Sequence, residues 1–341
     1  GCQEACINEF VEGGHPQCAV NPRTAFEYEY SAEIPEATVK KNIAIVGAGP
    51  AGVVAADVLI QRGHKVTVFE KGDAAGGVLI PGSKPVPKFD IQNYLTYLQF
   101  RVEKLKANAN FEIKFNTEAD VETLKGKYDV ILVAAGTKQF IPKIEGVDGK
   151  NVYDCIDVLN NPSILGSAKK AVIVGGGIVG TEIAYMLKYE MDMDIKIVEM
   201  QKYFMNHTCT ANRGHIIHYL EKGGVELLNC TKVLKIEEGK VTVSQNTHKN
   251  VPNPYNCWAP VLPENVENPM DMFKKIKDQY VTRELEADAV IIAAGTTSAN
   301  KLYYDCVKEN AAPEIYNIGD SLKSGRVFEA VRGAYRKARS I

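Results

Sequence analysis

The apolar residues of this chain gather into short solid runs, each followed at a fixed distance by a longer helical stretch. NIAIV at 42–46 and AVIV at 171–174 carry no polar alternation, the pattern of strands buried on both faces of a parallel sheet. Each run enters a glycine-rich turn, GAGPAG at 47–52 or GGGIVG at 175–180. A helix follows, and then a second apolar strand that ends in Glu70 or Glu199. The chain thus repeats one strand–turn–helix–strand unit, at 42–71 and again at 171–200.

A second pair of runs, YDVILVAAGT at 128–137 and ADAVIIAAGT at 287–296, predicts buried strands ending in small-residue turns, each closing the unit before it. Near the end, IYNIGDSLKSGRVFEAVRGAYRKARSI predicts a short strand, the pair Gly319-Asp320, and an amphipathic helix. RGHIIHYLEKGGVEL at 213–227 predicts a helix that buries Ile216, Ile217 and Leu220 and leaves His215 and His218 outside. With His207 and Cys209 those histidines invite a zinc reading, to which we prefer a plain surface. The Pro- and Asn-rich stretch at 248–278 holds Trp258, the single Trp, and predicts an excursion from a strand pair. It covers the second unit, contacts another domain or subunit, or is a surface loop.

The two turns share a G-x-G-x-x-G spacing, and both have the strand–turn–helix context that gives the spacing meaning. Gly47 and Gly175 permit the tight turn, Gly49 and Gly177 let the backbone approach a pyrophosphate, and Gly52 and Gly180 bring helix and sheet together. The helix N-terminus faces the phosphate charge, and Glu70 and Glu199 are placed for the adenosine ribose hydroxyls. The expected fold class is α/β with two Rossmann-like dinucleotide-binding domains.

Composition narrows this picture. A length of 341 residues holds two ordinary domains, and 40 basic against 42 acidic residues leave a net charge of −2. That balance predicts no electrostatic grip on nucleic acid or membrane, and no apolar run reaches the ~18 residues of a membrane helix. No basic region followed by an apolar core opens the chain. Eight cysteines are present, but Cys155, Cys209, Cys230, Cys257 and Cys306 stand singly, so a reducing, cytoplasmic setting is expected rather than a disulfide framework. Cys2, Cys6 and Cys18 crowd into the first eighteen residues and read as metal chemistry.

From about residue 40 to 341 the architecture resembles the glutathione-reductase-like flavoprotein reductases. That resemblance implies an FAD/NAD(P)-binding fold with the NAD domain inserted in the FAD domain: FAD at 40–145 plus 298–341, NAD(P) at 146–297 with an insertion at about 246–280, and an iron–sulfur segment and linker at 1–39. Gly76-Gly77 matches the family's second glycine pair along the flavin, and Gly319-Asp320 its ribityl-binding pair. The implied cofactor-lining set extends to Pro50, Ala51, Lys71, Val78, Ala135, Gly136 and Val327 at the first site, and to Ile178, Val179 and Gly295 at the second. Glu182 falls where the family often keeps a carboxylate near the nicotinamide; it also reads as a helix-surface residue. Glu199, followed by Met-Gln-Lys with no arginine, favours NADH over NADPH. No cysteine stands in GGVLIPG and no C-x-x-C lies in the second unit, so a redox disulfide is not expected.

The N-terminal spacing Cys2-x3-Cys6-x11-Cys18 before Asn21-Pro22 resembles the iron–sulfur segment of multidomain Old Yellow Enzyme relatives, of the 2,4-dienoyl-CoA reductase, enoate reductase and trimethylamine dehydrogenase type. Zinc held with His15, or three unconnected thiols, are the rival readings. The resemblance implies a 4Fe-4S cluster whose fourth cysteine falls upstream of residue 1, and a preceding FMN-binding TIM barrel with the substrate site. The chain is then expected to be the reductase portion of an NADH-dependent flavoenzyme. Hydride passes to FAD, and electrons cross the cluster to FMN, where an enoate or enoyl thioester is reduced. No side chain is expected to be catalytic, because the cofactors carry the chemistry. The sequence leaves a homo-oligomer open. Two other readings are an ADP-binding module of an amine-dehydrogenase-like enzyme and an electron-transfer protein like the small subunit of glutamate synthase. Intact glycines at both turns oppose the first, and the sparse cysteines oppose the second.

Overall fold

The computed structural model describes residues 2–11, 13–206, 208–256 and 275–341. Fifteen strands are present among them: β1 Asn42–Val46, β2 Lys65–Phe69, β3 Phe111–Lys114, β4 Val130–Val133, β5 Thr137–Gln139, β6 Val152–Asp154, β7 Lys170–Val174, β8 Asp194–Val198, β9 Glu226–Leu228, β10 Thr231–Glu237, β11 Gly239–Asn246, β12 Tyr280–Ala287, β13 Ala289–Ile292, β14 Thr296–Ser298 and β15 Glu314–Asn317.

They build two parallel five-stranded sheets, ordered β3-β2-β1-β4-β15 and β9-β8-β7-β13-β6. The solid apolar runs lie at their centres, where β1, β4, β7 and β13 are buried on both faces. The sheets differ in the origin of the outermost strand. In the first it is β15, from the end of the chain; in the second it is β6, which precedes the glycine turn. The chain leaves the first sheet through β5 and returns through β14, and these two crossings pair antiparallel, Thr297 opposite Lys138.

The repeat extends to its fastenings. Asp129, just before β4, accepts the Asn42 N–H at the start of β1 (2.7 Å). Asp288, just before β13, accepts the Lys169 and Lys170 N–H groups at the start of β7 (2.8 and 2.9 Å). Each sheet packs against its own helices and its own core. Ile43, Ile45, Leu59 and Leu132 anchor the first, and Ile173, Ile183, Leu187 and Ile217 the second. The last helix, Val327–Ser340, lies on the first Rossmann helix, Pro50–Gln61, with Ala51, Ala55, Ala330 and Ala334 buried where the two meet.

The predicted helix after residue 210 spans Thr210–Lys222 and buries Ile217 and Leu220 completely. The excursion leaves the antiparallel sheet β10-β11-β12, whose ladder continues as the Thr247 N–H donates to Gln279 O (2.8 Å). Its first arm returns to the second unit, where the Tyr255 hydroxyl donates to Val225 O (2.8 Å) and Asn229 Nδ2 donates to Pro252 O (2.9 Å). Cys257, Trp258 and His207 lie outside the described residues.

Leu187 is fully buried, whereas Leu234 on β10 is 43% exposed. Leu187→Ala should therefore cost about 3 kcal/mol in urea unfolding, and Leu234→Ala less than about 0.5 kcal/mol.

Candidate functional site

The two glycine turns are near copies in atomic detail. Gly47 and Gly175 have φ of +106° and +114°. A Cβ on either would strike the carbonyl of the neighbouring strand's end, Ala134 at 2.3 Å or Ala293 at 2.2 Å, so only glycine fits. Gly52 and Gly180 press equally hard on the carbonyls of Gly47 and Gly175, which seats each helix on its sheet. The Gly47 N–H donates to Phe69 O (2.8 Å) and the Gly175 N–H to Val198 O (2.9 Å), tying each turn to the strand that carries its glutamate.

Both glutamates hold the loops around them. Glu70 accepts the Ala48 N–H at Oε2 (2.7 Å) and the Gly72 N–H at Oε1 (2.8 Å). Glu199 accepts the Gly176 and Gln201 N–H groups (2.7 Å each) in the same manner. A carboxylate has about four acceptor positions, so each keeps capacity for a ribose hydroxyl.

Around the first turn the structure gathers residues far apart in sequence. The Gly76 N–H donates to Ala48 O (2.9 Å), and a Cβ on Gly77 would stand 3.1 Å from the Gly49 Cα. The glycine pair thus lies against the fingerprint loop, leaving a backbone-lined groove without side chains. Pro50 and Ala51 are buried behind it, Val78 and Lys71 are exposed, and Gly136 lies beyond β4, immediately before β5. Gly319 (φ +61°) crosses the buried side of Ala51, where a Cβ would lie 2.7 Å from the alanine methyl. Asp320 follows with a buried Oδ1 that has no hydrogen-bond partner. Burial pushes this carboxyl up to about 6, opposed by the backbone N–H of Gly325. An orphaned buried carboxylate beside a side-chain-free groove fits the polar chain of a bound flavin nucleotide. Val327 opens the last helix, whose N-terminus is closed by reciprocal bonds between Arg326 and Glu329.

Around the second turn, Gly177 and Gly295 are open, with nothing within 4 Å of an added Cβ, while Ile178 and Val179 begin the helix Ile178–Met191. The middle glycine, Gly176, carries a constraint not visible in the G-x-G-x-x-G spacing. A Cβ there would meet the fully buried Phe204 ring at 2.3 Å, and the Met205 N–H donates to Gly176 O (2.8 Å). Buried Arg213 holds this segment by donating from Nε to Phe204 O (2.9 Å).

A cavity of about 730 Å³ lies between the units, lined by Ile178 and Asn206 from one side and Gly319, Ser324, Gly325 and Arg326 from the other. Ala135 joins β4 to the crossing strand β5. Glu182, one turn into the second Rossmann helix, forms an ion pair with Lys88 across the interface. Its side chain is 15% exposed, and burial raises its carboxyl above the ordinary range while Lys88 opposes the shift. Lys88 lies 94 residues from Glu182, and no local signal marks it.

Cys2, Cys6 and Cys18 are free thiols; burial raises the Cys2 pKa, a backbone hydrogen bond at Glu4 opposes the shift, and the charges of Glu4, Cys18 and Cys6 add to it. Among the described residues, no three His, Cys, Asp or Glu side chains form a group that could hold a metal ion. Three thiols suit an iron–sulfur centre in chemistry and fall one short in number. His215 is exposed, its ring tilted against that of Tyr219 with centroids 4.8 Å apart.

The sequence matches the model of the family described as pyridine nucleotide-disulphide oxidoreductase over residues 41–336. The chain belongs to this family. Membership makes it an NAD(P)H-dependent flavin oxidoreductase with the family's FAD/NAD(P)-binding fold. It is 29% identical to a cinnamate reductase from Clostridium sporogenes, over 100% of this chain and 45% of that protein. It is 27% identical to an NADH oxidase from Thermoanaerobacter brockii, over 100% of this chain and 47% of that protein. A solved 2-naphthoyl-CoA reductase in complex with 2-naphthoyl-CoA superposes with a TM-score of 0.83 at 27% identity, covering 100% of this chain and 46% of that one. The chain thus spans about half the length of the relatives it matches. No helix among the described residues is long and apolar enough to cross a membrane.

The raised pKa of Asp320 sets a pH dependence. The stability associated with this group is full below the ordinary carboxylate value of 3.8 and is lost as pH rises through about 6. Asp320→Asn should therefore raise the melting temperature of the flavin-free chain at pH 7 and leave it unchanged near the ordinary carboxylate value. FAD binding, read by equilibrium dialysis, should weaken by at least about tenfold.

Proposed function

We propose that this chain is the NADH-accepting, FAD-binding portion of an iron–sulfur flavoenzyme that reduces an activated carbon–carbon double bond. The observation that carries the reading is the buried, unpartnered Asp320 Oδ1 next to Gly319, which packs on Ala51 of the first glycine turn and shares one cavity with Ile178 of the second. FAD is assigned to 40–145 plus 298–341, held by the Gly47–Gly52 turn, Glu70, Gly76, Gly77 and Asp320. NADH is assigned to 146–297, held by the Gly175–Gly180 turn and Glu199. Bound FAD supplies the conversion of a hydride donor into single electrons. The chain's own part is to orient both nucleotides, keep side chains out of the phosphate grooves and present the Glu182–Lys88 pair at their junction.

The cysteines Cys2, Cys6 and Cys18, completed by a fourth thiol from outside the chain, are assigned to a 4Fe-4S cluster. An FMN-bearing barrel is assigned as the partner domain. Support comes from the spacing of the thiols and from the names of relatives, a cinnamate reductase and a 2-naphthoyl-CoA reductase. An enoate or enoyl thioester is the substrate class these names favour.

Anaerobic addition of NADH to the FAD-loaded chain should bleach the flavin bands, faster than NADPH does. A colourless chain that binds ADP but not FAD would replace this reading with a nucleotide-binding module. Glu199→Gln should lower the NADH-to-NADPH ratio of stopped-flow flavin-reduction rates by about tenfold, because removing the carboxylate removes its repulsion of a 2′-phosphate.

A further inference from the structure

The thiol-bearing segment is gripped by both dinucleotide units. From the second, Asn212 Nδ2 donates to Cys2 O (3.2 Å) and to Glu4 Oε1 (3.3 Å), and the Cys209 thiol donates to Gln3 O (3.4 Å). From the first, Arg326 Nη1 donates to Glu4 Oε2 (3.1 Å). Glu4 therefore receives one donor from each unit through its two oxygens. The Glu4 and Arg326 side chains are 21% and 26% exposed, so water screens the pair less than it screens a surface contact.

Arg326 occupies a strategic position. It caps the last helix, and its backbone N–H donates to Glu329 Oε2 (2.8 Å). The residue before it, Gly325, belongs to the same loop as Asp320, and its backbone N–H favours the ionised form of that carboxyl. Hydrogen bonds thus run from the cysteine segment through Glu4 to Arg326, at the end of the loop that carries Asp320. Glu329 is three residues away on the same helix and orients Arg326 locally. Glu4 is 322 residues distant and ties that local arrangement to another part of the molecule.

We propose that Glu4 is a positioning residue that couples the Cys2-bearing segment at 2–4 to the flavin-site loop at 319–326. The proposal rests on the reading that FAD engages Asp320. A ligand that orders the loop then favours the docked segment, and linkage requires a docked segment to favour that ligand equally.

The test uses the reduced, metal-free 341-residue chain, with N-ethylmaleimide as thiol probe and mass spectrometry to follow Cys2. In the unsubstituted chain, saturating FAD should slow Cys2 labelling at least about threefold. Glu4→Gln keeps an acceptor for Asn212 but removes the charge facing Arg326. It should abolish the FAD-dependent protection and raise the FAD dissociation constant about fivefold. Glu4→Gln combined with Arg326→Gln should bind FAD within about twofold of Arg326→Gln alone, because the shared interaction is lost once. If Glu4→Gln fails to fold by circular dichroism, Asn212→Ala breaks the same clamp from the other unit and should also reduce the protection. FAD binding without Cys2 protection, or full protection retained in the folded variant, overturns the coupling while leaving the flavin site standing. An unsubstituted chain that binds no FAD overturns both.

Discussion

The whole arrangement depends on backbone approaching backbone at two glycine turns. At Gly47 and Gly175 the turn brings the chain so near a neighbouring carbonyl that a single added carbon has no room. At Gly52 and Gly180 the same closeness lets each helix start directly against its sheet. The consequence is a helix N-terminus with bare N–H groups at the carboxyl end of two parallel sheets, a natural anion site. The buried strands exist to hold these turns in place, and the fastening carboxylates Asp129 and Asp288 fix where each central strand begins.

Near-identity of the two units makes their differences informative. Glu70 and Glu199 each close their own turn through two backbone N–H groups, so each turn is preorganised before any nucleotide arrives. The first turn is backed by the remote glycine pair Gly76-Gly77, which keeps the groove free of side chains. The second is backed by an aromatic ring, Phe204, fixed through Arg213. One scaffold therefore presents two distinct walls, and the paired crossings β5 and β14 join them.

Two carboxyl groups near the meeting of the two units are buried with incomplete compensation. Asp320 has an oxygen without a partner, and the Glu182 carboxyl is raised despite Lys88 beside it. Neither is the best choice for stability alone, since a neutral side chain at Asp320 would remove a desolvation cost. Asp320 directly follows Gly319, which lines the cavity shared by the two units, and Glu182 lines a separate cleft with Lys88; both are groups placed for a polar ligand.

The two turns, their strands and helices, and the α/β class are legible in the residues alone. Each of these is a local demand: glycine at fixed spacing, and apolar runs of strand length. The sequence also pointed to Glu70, Glu199 and the Gly319-Asp320 pair, though not to the N–H groups the two glutamates accept or to the oxygen Asp320 leaves unpaired. The contacts that span the chain emerge from packing and not from local pattern. Lys88 with Glu182, Glu4 with Arg326, Phe204 against Gly176 and Gly77 against Gly49 join residues whose meeting no periodicity encodes. The physical reason is one of range. Steric exclusion at a turn is settled by near neighbours and the strand beside it, whereas an ion pair 94 or 322 residues apart exists only after both sheets have packed.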